Sequence, residues 1–364
     1  MLEHWLALRN LPGIGPLSGR RLVERFGDPA AVFRAAPEDW RTVERIGPAV
    51  CENLARGPDL DAARRELAAV REAGARVIPI DDPGYPENLR RIHDAPLFLY
   101  VLGALEPGDA RAVAIVGSRN ASSYGIKMAT YLAAELARAG VVVVSGLAAG
   151  IAAAAHRGAL SAGGRTVAVL GCGIDRVYPE ANARLRGEIA ASGAVVTEFA
   201  VGVTPAPENF PRRNRLISGM SLGVVVVEAD MKSGSLITAR NALEQGREVF
   251  AVPGNADSAR SRGCHWLIKQ GAKLADSPGD VLEEIAPQLR RPEGDAAAAP
   301  LPSGLGDEER KVLELCEAGP IHVDDLAQAS GIPVSRLAGV LLTLELQSLV
   351  ESLPGTRFRR KANP

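Results

Sequence analysis

Aromatic side chains are scarce: seven Phe, five Tyr and three Trp make up 4% of 364 residues. A continuous stacking platform for bases needs more rings than that, so any single-strand site here uses few of them. Cysteine is sparse too. Cys51, Cys172, Cys264 and Cys316 lie far apart with no CxxC pair, which favours a reduced, cytoplasmic protein over a disulfide or zinc scaffold. No apolar run reaches the length of a membrane helix, and Met1-Leu-Glu-His lacks a signal-peptide pattern, so no membrane partner is expected. Charge of one sign is also missing, with 42 Lys and Arg against 43 Asp and Glu. A polyanionic ligand must therefore be met by local clustering. No GxxxxGK[ST] occurs, which excludes a P-loop nucleoside triphosphatase. Gly171-Cys-Gly173 lacks the third glycine of GxGxxG and no acidic ribose anchor is recognisable, so no dinucleotide cofactor is expected.

What remains is a globular chain with 46% hydrophobic residues, long enough for two or three domains. Residues 1–60 read as short helices broken by glycine turns. Leu11-Pro-Gly-Ile-Gly-Pro-Leu-Ser18 and Arg45-Ile-Gly-Pro-Ala-Val50 are tandem turn-helix units that resemble a helix-hairpin-helix fold. Residues 1–57 hold eight Arg against seven acidic side chains, so structural turn and DNA contact both stand open. Residues 61–289 begin with a helix over Asp61–Ala73 and strands at Val77–Ile80 and Pro96–Leu102. Apolar β-branched runs follow at Val113–Val116, Val141–Val144, Thr166–Leu170, Ala194–Val196, Leu222–Val227 and Val249–Val252, with Ala- and Leu-rich helical stretches between most of them. Unbroken runs mark strands buried on both faces, and βα alternation requires right-handed crossovers. The expected fold is α/β, a Rossmann-like doubly wound and mostly parallel sheet. Residues 290–306 have linker composition. Residues 307–364 match the element order of a winged helix, with nine acidic against seven basic side chains and only Arg336 near the start of its recognition helix. Base readout needs more than that, so a protein-contact or regulatory module is the preferred reading.

Ligands of open parallel sheets bind beyond the carboxyl ends of the strands. The turns there begin at Gly117-Ser118-Arg119, Ser145-Gly146-Leu147-Ala148 and Lys232-Ser233-Gly234-Ser235. Each offers small residues, hydroxyls and amides suited to an anion. Phe210-Pro-Arg-Arg-Asn-Arg215 adds Arg212, Arg213, Asn214 and Arg215, and arginine forks match phosphate oxygens. The amides at 145–148 and 233–235 are expected to receive phosphates, with Arg119 and an Arg212/Arg213 pair adding charge. Phe210 either stacks a base or anchors its own turn. His156 has no nucleophile in an obvious motif beside it, and Asp175 and Glu228 read as loop caps without metal-ligand spacing. No catalytic or metal-binding residue is expected.

Across Val116-Gly-Ser-Arg119, Ser145-Gly-Leu-Ala-Ala-Gly-Ile151, His156, Phe210-Pro-Arg-Arg-Asn-Arg215, Ser233-Gly-Ser-Leu-Ile-Thr-Ala239, Tyr178-Pro179 and Ala251-Val-Pro-Gly-Asn255, the chain resembles the DNA-processing protein A family (DprA, also called Smf). The resemblance implies sequence-independent binding and protection of single-stranded DNA, its hand-over to RecA recombinase during natural transformation, a homodimer, and no catalytic turnover. The chain departs from many relatives at Pro207-Glu-Asn209, where a lysine is common, and at Gly150-Ile-Ala152, where Gly-Ile-Asp is common. Phosphate contact then rests on Arg119, Arg212, Arg213 and Lys232. The alternative is a Rossmann-fold nucleotide hydrolase of the lysine-decarboxylase-like phosphoribohydrolase type. That family's PGGxGTxxE has no counterpart here, since Lys232–Glu244 lacks the double glycine and the spaced glutamate. The apolar stretch Trp266-Leu-Ile268 with Leu274 is either a dimer patch or core.

Overall fold

The computed structural model describes residues 2–289, 306–316, 321–347, 349–353 and 357–360. They form two compact units, Met1–Pro287 and Gln288–Pro364. The expected linker lies outside the described residues except for Gly306.

The first unit opens with α1 (Leu2–Asn10), α2 (Pro16–Phe26), α3 (Pro29–Arg34), α4 (Pro37–Trp40), α5 (Pro48–Ala55) and α6 (Leu60–Glu72). Proline begins α2 to α5, where its fixed φ suits the first turn and its missing N–H costs nothing. The Asp28 carboxylate caps α3 by accepting the Ala31 N–H at 2.8 Å. The two glycine turns are tied together, because Asn53 Nδ2 donates to the Pro12 carbonyl at 2.9 Å. Trp5, Leu6, Leu22, Trp40 and Leu54 belong to the same continuous core as Tyr100 and the sheet. Arg9 clamps the junction: it pairs with Glu66 at 2.9 Å, donates to the Tyr100 hydroxyl, and lies 5.2 Å above the Phe98 ring.

The sheet strands are β1 (Arg76–Pro79), β2 (Phe98–Gly103), β3 (Ala112–Gly117), β4 (Val142–Gly146), β5 (Thr166–Val169), β6 (Ala194–Thr197), β7 (Gly223–Val227), β8 (Glu248–Ala251) and β9 (Lys273–Leu274). Their order is β1-β2-β6-β5-β4-β3-β7-β8-β9. Ladders from β6 across to β9 are parallel, whereas β1–β2 and β2–β6 are antiparallel. The chain therefore winds outward from β3 to β6, then returns to set β7 on the other flank of β3. Strands β3, β4 and β7 are buried along almost their whole length, as unbroken valine runs require. Around them lie α7 (Glu87–Arg90), α8 (Ser123–Arg138), α9 (Ile151–Ser161), α10 (Ala183–Ser192), α11 (Asn209–Gly219), α12 (Ser235–Glu244), α13 (Arg262–Lys269) and α14 (Pro278–Leu289). No described helix is long and apolar enough to cross a membrane.

The second unit contains α15 (Asp307–Leu315), β10 (Ile321–His322), α16 (Val323–Ser330), α17 (Val334–Leu346), β11 (Val350–Leu353) and β12 (Arg357–Arg360). Its strands form an antiparallel sheet in the order β10-β12-β11. Val312, Leu313, Leu326, Leu337, Leu341 and Leu344 make its core. Arg336 is occupied by Glu308 at 2.9 Å. All four cysteines of the chain are free and buried.

Candidate nucleic-acid interface

The ends of β3, β4 and β5 meet the start of α11 around a pocket of about 100 Å³, whose walls include Arg119, Ala148, Gly171, Tyr178, Phe210 and Arg213. Close backbone packing fixes these crests. Gly150 has φ +74°, and a Cβ there would lie 2.3 Å from the Ser118 carbonyl oxygen and 2.6 Å from that of Arg119. The Ile151 N–H donates to Ser118 O at 3.1 Å, and the Ser118 N–H donates to Glu228 O at 2.8 Å. Glu228 in turn accepts from the Ser122 N–H at 2.8 Å and from the Ser122 hydroxyl. It is a cap, as its position suggested. Asp175 is one too, accepting the Gly202 N–H at 2.9 Å.

The electrostatic centre is Arg213. Its side chain is buried and donates to the Val169 carbonyl and, at 3.2 Å, to Asn214 Oδ1. Among the described residues it has no carboxylate within pairing distance. Burial, reinforced by the nearby Arg119 charge, lowers its pKa to about 10, so it remains a cation at neutral pH. Arg119 and Arg213 both face the Phe210 ring, at 4.6 and 5.7 Å from its centroid. A buried charge with only neutral partners is costly, and an anion relieves that cost.

The ring geometry separates the two readings of Phe210. It is wedged against Gly171, where a Cβ would come within 3.0 Å, and carries Arg119 on its face. It anchors the crest. Tyr178, 5.8 Å away at a 40° tilt and 45% exposed, is the ring that offers a face to a ligand. Sequence reasoning did not place Tyr178 in the site, since Tyr-Pro carries no chemical signature of its own.

Other expected site residues sit differently. Ser145 and Gly146 are inside β4, with the Ser145 hydroxyl donating to Ile115 O at 2.6 Å, so they support the pocket rather than face a ligand. A Cβ on Gly146 would strike Arg213 Nη1 at 2.6 Å. Leu147 lines the wall and is buried. The Ser118 hydroxyl accepts from the Asn120 N–H at 3.1 Å. Ser233 and Ser235 share a hydroxyl bond of 2.7 Å, while exposed Lys232 donates its backbone N–H to Asp230 at 2.7 Å. That turn is tied to the start of α11 by Asn214, whose Nδ2 donates to Gly234 O at 3.1 Å. The arginine triplet is split, because successive helical residues point about 100° apart. Arg212 is exposed and rests 5.2 Å over Phe199, so it does not pair with Arg213 as expected. Arg215 is engaged by Glu198 and, at 3.3 Å, by Asp94.

His156 is fully buried, with Nδ1 2.7 Å from Thr166 Oγ1 and Nε2 3.1 Å from the Gly146 carbonyl. Burial lowers its pKa to about 4. An unfolded imidazole titrates near 6.5, so the unfolded chain takes up the proton first on acidification. The stability held by the neutral ring is complete above about pH 6.5 and is lost as pH falls toward about 4, by up to about 3 kcal/mol. Urea midpoints across that range should fall more steeply for the wild type than for His156→Gln; parallel profiles would refute this.

A model of the family described as DNA recombination-mediator protein A matches residues 76–286. A DprA winged helix domain matches residues 296–356, and a SAM-like helix-hairpin-helix tandem matches residues 6–57. Protein Smf of Escherichia coli is 41% identical over 308 residues, covering 81% of this chain and 80% of that protein. The X-ray structure of DprA from Streptococcus pneumoniae aligns with TM-score 0.69 and 37% identity, over 78% of this chain and 98% of that one. A structure of DNA processing protein A from Helicobacter pylori, described for its single-stranded DNA binding mode, aligns with TM-score 0.53 and 28% identity, over 59% of this chain and 98% of that one. The family model spans more than half of the chain and the Escherichia coli relative most of it, so the chain belongs to the DNA recombination-mediator protein A (DprA/Smf) family.

Proposed function

We propose that the protein binds single-stranded DNA without sequence preference, seating a backbone phosphate against Arg213 and Arg119 with a neighbouring base on Tyr178. The observation that carries this is the buried Arg213 guanidinium, which has neutral partners on its own chain and opens onto a pocket. Phosphates and ring faces are common to every nucleotide, so such contacts carry no sequence information. A duplex keeps its bases turned inward and leaves Tyr178 nothing to stack on.

The family description and the single-stranded DNA binding described for the Helicobacter pylori relative support the finer reading. In it, the protein shields incoming strands during natural transformation, passes them to RecA recombinase and acts in the cytoplasm as a homodimer. Exposed Trp266 on α13 and Leu274 on β9 supply an apolar patch at the sheet edge that suits self-association. The protein is proposed not to turn over a substrate. His156 is buried, neutral and engaged at both ring nitrogens, so it supplies no free acid or base to a hydrolase of the phosphoribohydrolase type.

Anisotropy with random single strands and matched duplexes, across a salt series, tests the reading. Single strands should bind more tightly, with log affinity falling by about 0.7 per phosphate contact for each tenfold rise in salt. Equal affinities or a flat salt response would overturn it.

A further inference from the structure

Arg212 and Arg213 face different grooves, and the groove that Arg212 lines is the larger. It measures about 420 Å³ and lies where the helical front meets α11 and the loop before β2. Its wall includes Gly13, Gly15, Arg21, Arg45, Arg212 and Arg215, with Asp94 its single carboxylate. The four guanidiniums are incompletely neutralised. Arg21 and Arg45 share Glu44, at 3.1 and 3.7 Å, and that glutamate is 72% exposed. Arg215 holds Asp94 and Glu198. Arg212 has no carboxylate within pairing distance among the described residues. An exposed, shared pair such as Glu44 is weak and readily exchanged for a phosphate.

Two further features point the same way. Helix α2 begins at this groove with Gly15 as its N-cap, which has no side chain to bond the amides of the first turn, while Ser18 Oγ accepts the Gly15 N–H at 2.9 Å. Its leading amides and dipole favour an anion there. Arg45 adopts φ +66°, a left-handed conformation that favours glycine, so the chain holds a guanidinium on the groove wall at a conformational cost.

We infer that this groove is a second phosphate seat, and that it takes the phosphodiester backbone of the same single strand as it leaves the Arg213 pocket. The inference rests on the single-strand reading above. Arg212 and Arg213 adjoin on one helical turn, so a strand passing the start of α11 meets both grooves in succession. Recognition here is by charge and amide donors alone, hence blind to base identity.

The test uses the full chain with oligonucleotides of about 5 and about 25 nucleotides, the shorter sized for the crest alone. The variants are Arg45→Gly and Arg21→Gln, singly and together. Arg45→Gly relieves the left-handed arginine, so it should melt at or above the wild-type temperature while removing a cation. The double variant should reduce the salt slope for the long oligonucleotide by roughly 1.4, about 0.7 for each lost contact, and weaken its binding by about tenfold at low salt. The short oligonucleotide should be unaffected. An unchanged slope for the long strand, or equal losses for both lengths, would overturn the second seat. Displacement of the long strand from the wild type by micromolar adenosine monophosphate, but not from the double variant, would reassign the groove to free nucleotides. Wild-type protein that binds neither length would overturn the single-strand reading as well; binding of both lengths with inert variants removes only the second seat.

Discussion

Arg213→Met is expected to weaken single-strand binding by at least about thirtyfold while changing the stability of the free protein only modestly. Truncating a buried charge that meets an opposite charge on a ligand costs about 2–5 kcal/mol, and each 1.4 kcal/mol is tenfold. In the free protein two terms of similar size oppose each other. The arginine's charge-assisted bonds to Val169 O and Asn214 Oδ1 are worth roughly 1.5–3 kcal/mol each. Desolvating a guanidinium without a counter-charge costs several kcal/mol, and a similarly shaped thioether chain does not incur it. Parallel measurements of affinity and urea midpoint decide the matter. Unchanged affinity would remove Arg213 from the interface, and a large loss of stability would make it a structural residue.

Gly150→Ala should destabilise the protein by about 4 kcal/mol or more, in the range that single substitutions reach only through strain or severe packing conflict. The added Cβ would stand 2.3 and 2.6 Å from two backbone oxygens, which cannot move without parting the turns after β3 and β4. Gly140 supplies a comparison, since it too has a positive φ, +75°, with nothing within 4 Å of its Cβ position, whereas Gly150 combines its contacts with ψ −128°, outside the left-handed helical region. Gly140→Ala should cost only about 1–2 kcal/mol, the penalty of a left-handed alanine. Thermal melts of the two variants measure the added cost at Gly150, of its close contacts and of its ψ of −128° together. If they melt alike, the crests are not held as described.

The strands were legible because valine runs buried on both faces leave little room for another assignment, and β3, β4 and β7 fall within a residue or two of expectation. β9 was invisible: two residues, Lys273 and Leu274, are too short to show a pattern, and their place is fixed by pairing with β8. The antiparallel edge could be read as two strands, but not as part of the main sheet, since its pairing with β6 spans about ninety residues of chain. At the interface, glycine turns and arginines marked the right rim. Which side chains face out did not follow, because one helical step separates a solvent-facing Arg212 from a buried Arg213. Hydroxyls misled for a similar reason. Ser145 reads as a phosphate ligand in a sequence, yet within β4 its nearest acceptor is the carbonyl of Ile115 on the adjoining strand.

The sequestered thiols have a practical consequence. Burial raises the pKa of Cys172, and those of Cys264 and Cys316 to about 11, so almost none of these three is thiolate at neutral pH; Cys51 is buried as well. The thiolate is the reactive form, so maleimide dyes should label the native molecule slowly. Glu180→Cys, at an exposed position two residues from Tyr178, would then accept a fluorophore almost without background, reporting strand arrival at the rim in real time.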